Sequence, residues 1–229
     1  MTLRIAECGL RIAVVLTLMV RPLAAQTRQA MQDEHAVYEL LSPARASFRT
    51  VYEVSATTPG AKVFFDRIGI GLQPTNANGD GAFDMTTGLP LKNDRVTGAQ
   101  AKARGLADAD ASASYFEVQL ARPIAVEGQA RIRIVKTYRD GASYSVKGNA
   151  FVFSRPIGIA RGAVVLPAGY RLTDCNVPAQ VIADADGRIR VSFMHQGAAG
   201  GSFIIKGARG AQTGEAAKPR PFTGARSWE

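Results

Sequence analysis

Oxygen-bearing side chains recur at calcium-ligand spacing in the stretch NANGDGAFDMTT, which begins at Asn76. Positions 1, 3, 5 and 9 of this stretch are Asn76, Asn78, Asp80 and Asp84, and Gly81 stands at position 6, where a calcium loop turns sharply. Position 12 is Thr87, whereas a calcium loop has a bidentate glutamate there. Because Asn, Asp and Gly also form ordinary turns, the sequence favours a polar turn over a weak calcium site. No other cofactor is predicted.

Arginines on alternating strand positions are the second group that could bind a ligand. Arg131, Arg133 and Arg139 share one face of a strand, and Arg188 and Arg190 share a face of another. If these strands are neighbours, their guanidinium groups form a patch for carboxylate or phosphate groups, with Arg131, Arg133, Arg188 and Arg190 as its members. The alternative is a solvated sheet face, which antiparallel sheets commonly have and which is the favoured interpretation.

Residues for catalysis are few, and we predict that the chain is not an enzyme. The sequence has two histidines, His35 and His195, and neither belongs to a metal-ligand motif. It contains no His-Glu-x-x-His, no Gly-x-Ser-x-Gly and no phosphate-binding loop. Cys175 lies within a strand-like run, where we expect a buried packing residue with a slowly reacting thiol.

The first 25 residues have the order of a secretory signal peptide. Arg4 and Arg11 precede the apolar run from Ile12 to Val20, and small residues precede a predicted cleavage site before Gln26. The run is too short to span a membrane as a helix, and no later segment is long and apolar enough. We therefore expect an exported protein of the periplasm or the extracellular space, with no transmembrane segment after signal removal.

The charge of the chain bears on its partners. The formal net charge is +9, with a calculated isoelectric point near 9.9. This balance favours anionic surfaces such as lipid headgroups or acidic polysaccharides. No recognised nucleic-acid-binding motif is present, so a nucleic acid is not the expected partner.

Short apolar runs separated by Gly and Pro predict an all-β fold. About ten strands are expected at intervals typical of an antiparallel two-sheet β-sandwich. Ile132 and Ile134, like Val191 and Phe193, alternate with polar residues and should fill the space between the sheets. The stretch TGAQAKARGLADAD predicts at most one short helix, which Gly105 would limit. The predicted domain covers residues 35–208, with a possible break near residues 97–112, and residues 209–229 form a flexible tail.

Residues 35–207 resemble a group of exported bacterial proteins of unknown activity, and the second half of the chain is the more similar part. The resemblance lies in the strand pair around KTYRDGASY, the run AVVLPAGY and the hairpin DGRIRVSF. Residues 116–138 are also distantly similar to the lumenal region of ribophorin I, and a Leu-Pro-x-Gly-Tyr turn recurs in N-terminal β-domains of exported enzymes, including zinc aminopeptidases. The resemblance implies a non-catalytic β-sandwich and supplies no catalytic residue.

These observations favour a non-catalytic exported β-sandwich that binds an envelope glycan or a partner protein. Two alternatives remain open. One is an accessory substrate-binding domain for an exported hydrolase, and the other is a weakly calcium-binding structural protein.

Overall fold

The computed structural model describes residues 28–69, 72–195 and 201–210, and it confirms the all-β fold class. The predicted signal peptide and residues 211–229 of the predicted tail lie outside the described residues. Within them, sixteen strands form three sheets. Nine strands form the large sheet: β1 (Met31–Leu40), β2 (Ser47–Ala56), β4 (Gln73–Pro74), β5 (Gly81–Asp84), β6 (Pro90–Leu91), β9 (Ala130–Arg139), β12 (Arg161–Val165), β14 (Ala179–Ala183) and β15 (Ile189–Met194).

The two smaller sheets contain the other strands. A three-stranded sheet consists of β3 (Val63–Arg67), β7 (Asn93–Thr97) and β8 (Ser114–Gln119). A four-stranded sheet consists of β10 (Tyr144–Lys147), β11 (Ala150–Pro156), β13 (Tyr170–Cys175) and β16 (Ser202–Arg209). The Leu-Pro-x-Gly-Tyr turn carries the chain from β12 in the large sheet to β13 in the four-stranded sheet.

The order of the large sheet is β14-β15-β12-β1-β2-β9-β5-β6, and β4 also pairs with β9. Most neighbours are antiparallel, as expected, but β1 and β12 run parallel. The run Ala163–Val165 in β12 is almost fully buried, which suits a strand in the middle of a sheet. The number of strands among the described residues exceeds the expected ten, because strands of two residues, such as β4 and β6, leave no alternating pattern in the sequence.

Both small sheets pack against the same face of the large sheet, which we call the inner face. The four-stranded sheet meets it through aromatic side chains, and Phe48 of β2 lies 5.1 Å from Phe153 of β11 between ring centroids. The three-stranded sheet meets it through Phe64 and Val118, which pack on Ile132 and Ile134. The prediction that Ile132, Ile134, Val191 and Phe193 fill the space between sheets is therefore confirmed.

Helix α1 (Gly98–Ala103) covers the far side of the three-stranded sheet, so this sheet is buried on both faces. Thr97 caps the helix, because its side chain accepts from the Gln100 amide and the Gln100 side chain accepts from the Thr97 amide. Residues 97–112 therefore include a helix that packs on its own sheet. A Cβ on Gly98 would stand 1.8 Å from the carbonyl oxygen of Asp110, so this close approach requires glycine.

Candidate functional site

The opposite face of the large sheet carries most of its charged side chains, and we call it the charged face. Strand registers place the odd-numbered residues of β1, β2 and β9 together on this face. The strands of the sheet bring these arginines to the charged face: Arg49, Arg131, Arg133, Arg139, Arg161 and Arg190. The glutamates on the same strands and face are Glu39 and Glu53, so positive charge is in excess there.

Of the four arginines selected from the sequence, Arg131, Arg133 and Arg190 lie on this face and Arg188 lies in the turn before β15, and the four do not form one patch. Arg131 and Arg133 belong to β9, and Arg190 belongs to β15, with β12, β1 and β2 between them. The four strand spacings between β15 and β9 correspond to about 19 Å. The condition of neighbouring strands is therefore not met, because the sheet inserts strands that come from distant parts of the sequence.

Three of these four arginines are occupied by carboxylates. Arg190 makes a forked contact with Asp184, with nitrogen–oxygen distances of 2.8 to 3.1 Å. Arg188 contacts Asp186 at 2.6 Å in the β14–β15 turn. Arg133 donates to Glu53 at 2.8 Å. Among the described residues, no ion pair involves Arg131.

A cleft of about 730 Å³ crosses the charged face at right angles to the strands. We call it the transverse cleft, and its polar lining includes Asp33, His35, Glu53, Arg131, Arg161 and Gln180. These residues come from β14 at one edge through β12, β1 and β2 to β9. The cleft therefore spans five strand spacings, or about 24 Å.

One row of cross-strand neighbours forms the charged centre of the transverse cleft. Arg161 stands opposite His35, His35 opposite Glu53, and Glu53 opposite Arg133. His35 Nδ1 lies 4.0 Å from a Glu53 carboxylate oxygen. Partial burial lowers the pKa of His35 below its ordinary value, although the Glu53 charge acts in the opposite direction. His35 is thus neutral near pH 7 and gains a positive charge in acid.

Asp33 enters the cleft through a bulge in β1. The register of β1 with β2 shifts between Gln32 and His35, and Asp33 has a φ of 54°. This conformation, which aspartate tolerates better than most residues, places an Asp33 carboxylate oxygen 3.9 Å from Arg161. Both side chains are about half exposed, so Arg161 can exchange this contact for a ligand.

The predicted calcium loop folds into turns that use its carboxylates. Asp80 accepts hydrogen bonds from the amide and hydroxyl of Thr137, both at 2.8 Å, and from the Ala77 amide at 3.2 Å. Asp84 is the last residue of β5, and its side chain accepts hydrogen bonds from the amides of Thr86 and Thr87 in the turn that follows, at 2.7 and 3.1 Å. Asn76 has a φ of 50° in the same loop, and Asn78 lies beside the turn at Gly79.

These contacts give the loop a structural role that needs no ion. In the part of the chain that the structure describes, no group of three or more His, Cys, Asp or Glu residues could hold a metal. Calcium binding by Asn76, Asn78, Asp80 and Asp84 stays a sequence-based prediction.

Cys175 is half-buried rather than fully buried. Its side chain packs against the core of the four-stranded sheet, and its thiol donates to the Val177 carbonyl oxygen at a sulfur–oxygen distance of 3.2 Å. It is the last residue of β13, which is an edge strand of the four-stranded sheet. The partial exposure follows from this edge position.

No sequence motif selects three residues of the cleft: His35, Glu53 and Arg161. Each follows or precedes apolar residues with strand spacing, so its face can be predicted, but its neighbours cannot. A buried ion pair between Lys136 and Asp66 was also not anticipated. The sequence indicates this ion pair only through the position of Lys136, which lies between the inward residues Ile134 and Tyr138 of β9.

No protein-family model matches the chain, and no curated protein matches it. Solved structures do match its fold. An M1 zinc metallopeptidase from Deinococcus radiodurans aligns with 82% of this chain and 44% of its own, at 12% identity and a TM-score of 0.50. A two-domain M1 zinc metallopeptidase mutant bound to L-tryptophan aligns with 80% and 44% of the two chains, at 11% identity and the same TM-score.

These matches are likenesses of fold at low identity. The chain spans less than half the length of the solved peptidase chains. Within the described residues, no helix is long and apolar enough to cross a membrane.

Proposed function

We propose that the chain is a non-catalytic binding module that holds an extended acidic polysaccharide in the transverse cleft. The observation that carries this proposal is the cleft itself, which crosses the sheet on its charged face and is open along its length. Pockets for small molecules are usually enclosed, whereas this cleft is open, and charged and polar side chains line it together with Phe193 and Met194.

The positions of the cations favour a long anionic ligand. Arg161 lies in the middle of the transverse cleft and Arg131 at its β9 end, and both are exposed. Guanidinium groups bind carboxylate or sulfate groups through two parallel hydrogen bonds. A polymer with repeated negative charges could contact both arginines at once. The excess positive charge of the chain would attract the same ligand from solution.

Binding of alginate, a polymer of uronic acids, tests the proposal. Arg131→Gln combined with Arg161→Gln removes two charges from the cleft. The matched control combines Arg122→Gln with Lys147→Gln, two exposed cations outside the charged face. We expect the cleft variant to lose at least about tenfold in affinity, since hydrogen bonds to charged groups contribute about 1.5–3 kcal/mol each. The control variant should bind nearly as well as the wild type.

A third variant measures the contribution of the other predicted arginines. Arg188→Gln with Arg190→Gln also removes two charges, but these guanidinium groups already contact Asp186 and Asp184. We expect a smaller loss than for the cleft variant. Equal losses in all three variants would mean that net charge alone retains the polymer, and the proposal would then be wrong.

A second candidate is an accessory substrate-binding domain of an exported hydrolase. The fold likeness to two-domain peptidase chains, of which this fold makes up less than half, favours it. The chain itself lacks the His-Glu-x-x-His motif of zinc peptidases. The two candidates differ in one measurement, because an accessory domain should form a complex with its hydrolase, whereas the leading proposal requires polysaccharide binding by the purified chain without any hydrolase.

A further inference from the structure

Each sheet of this fold has two edges, and an unprotected edge invites pairing with another chain. The large sheet ends at β14 on one side and, on the other, at β6 and at the two-residue strand β4, which contains Pro74. Strand β6 is only two residues long and begins with Pro90, which has no amide hydrogen to donate. This edge is therefore poorly suited to receive another strand.

The edges of the four-stranded sheet are protected by charge and irregularity. Strand β13 carries Arg171 and Asp174, and its register with β16 shifts between Leu172 and Asp174. Strand β10 is four residues long and ends with the exposed Lys147. Charged residues and bulges are the usual devices that prevent pairing at an edge.

The edges of the three-stranded sheet are also protected. The side chain of Gln29 covers β3, because it donates to the Phe65 carbonyl at 2.9 Å and accepts from the Phe65 amide at 2.7 Å. Strand β7 carries the exposed Asp94 and Arg95. Every edge other than β14 thus has proline, charge, a bulge or a covering side chain.

Strand β14 has none of these protections. Its sequence, AQVIA, has no charge and no proline, it pairs with β15 without a bulge, and all five residues are exposed. Val181 and Ile182 are 48% and 43% exposed, which is unusual for β-branched residues in a strand. Among the described residues, no hydrogen bond from a side chain or a loop reaches the backbone of residues 179–183.

The hydrogen-bond alternation of the β14–β15 hairpin shows which backbone groups face outward. The Asp184 amide donates to the Arg188 carbonyl in the turn, so Asp184 and Arg188 are a hydrogen-bonded pair. Antiparallel pairs alternate, which makes Ile182 and Gln180 the next residues bonded to β15. The amide and carbonyl groups of Ala179, Val181 and Ala183 therefore point away from the sheet.

We propose that two copies of this chain pair through β14 as an antiparallel, two-fold symmetric dimer centred on Val181. In this register Val181 stands opposite its own copy, and Ala179 stands opposite Ala183. The three outward-facing residues of each strand then form about six backbone hydrogen bonds across the interface. The strand is uncharged, so self-pairing places no like charges opposite each other, in contrast to pairing at β7 or β13.

The size of the contact sets the expected strength. One five-residue strand pair buries much less than the roughly 1,200 Å² of total area found in stable complexes. The dimer should therefore depend on concentration and should appear well above the micromolar range. This proposal does not rest on the proposed polysaccharide binding.

Sedimentation velocity of the mature chain tests the proposal, at concentrations from about 10 µM to 1 mM and at about 0.15 M salt so that surface repulsion is screened. We expect the wild type to form dimers with rising concentration. Val181→Pro should abolish the dimer and leave the fold intact, because the lost amide hydrogen faces outward and not toward β15. Val126→Pro, at a loop residue that is 81% exposed, is the control.

A charge pair makes the test specific to the two-fold register. Val181→Lys and Val181→Glu should each be monomeric, since like charges would stand opposite each other at the centre. An equimolar mixture of the two should dimerise at least as well as the wild type. A wild type that stays monomeric at about 1 mM, a dimer that survives Val181→Pro, or a mixture that stays monomeric would each overturn the proposal.

Discussion

Replacing Lys136 by methionine should destabilise the fold strongly, although this residue lies outside the transverse cleft. Lys136 is at an inward position of β9, and its ammonium group contacts Asp66 of β3 between the large and the three-stranded sheets. Its Nζ atom also lies 4.0 Å from the ring centroid of Phe116 in β8. Burial lowers the pKa of Lys136, while Asp66 opposes this effect.

The expected loss of unfolding free energy depends on Asp66, the partner that remains after the substitution. The side chains of Lys136 and Asp66 are 8% and 18% exposed, so Lys136→Met would leave a carboxylate with little access to water. Removing one partner of a buried pair costs about 3–5 kcal/mol of unfolding free energy. A domain of this size loses about 2–4 °C in melting temperature per kcal/mol, so Tm should fall by about 6–20 °C.

Urea denaturation of two variants and a control measures this effect. Lys136→Met with Asp66→Leu removes both charges and should recover most of the stability, because well-packed apolar replacements of buried pairs are often neutral. Lys147→Met, at an exposed position, should stay within about 0.5 kcal/mol of the wild type. A loss below about 1 kcal/mol for Lys136→Met, or a double variant no more stable than the single one, would refute the buried-pair reasoning.

Three further predictions concern other parts of the molecule. Gly98→Ala should destabilise the fold by about 1–3 kcal/mol, measured by urea denaturation, because its Cβ would collide with the Asp110 carbonyl. The Cys175 thiol should react more slowly with a thiol reagent in the native than in the denatured chain, since it is half-buried and donates to the Val177 carbonyl; equal rates would contradict this. The pKa of His35 is lowered in the folded chain, so below the unfolded value of about 6.5 the folded chain binds fewer protons than the unfolded chain. The free energy of unfolding should therefore decrease as the pH falls below about 6.5 and through the lowered pKa, as urea denaturation at several pH values would show. Affinity for dextran sulfate, whose sulfates do not titrate, should rise over the same window, and His35→Gln should remove this rise.

The strand content could be predicted because alternation is a local property. In β9, Ile132 and Ile134 face the core while Arg131 and Arg133 face outward, as the sequence pattern indicates. The short helix could be predicted as well, since Gly105 ends it with a φ of 110°. The turn at Asp186 and Gly187 is likewise local.

The site could not be predicted because its neighbours are distant in sequence. Arg133 contacts Glu53, which is 80 residues away, and Asp80 bonds Thr137 at a separation of 57 residues. Alternation gives the face of each residue and leaves the order of the strands open. The parallel pairing of β1 with β12 inserts His35 and Arg161 between the two groups of arginines, and no local pattern indicates this insertion.

The β14 edge and the transverse cleft share Ala179 and Gln180, which makes the two proposals jointly testable. A two-fold axis normal to the sheet keeps the charged faces of both copies on the same side, so both clefts would open toward one polymer. Attachment at one cleft would raise the effective concentration of the polymer at the other to about the millimolar range. Val181→Pro should therefore weaken binding of long alginate and leave binding of a short alginate oligomer unchanged, as measured by calorimetry. An equal loss of affinity for both lengths would contradict this bridging, because it would mean that the substitution disturbs the cleft itself.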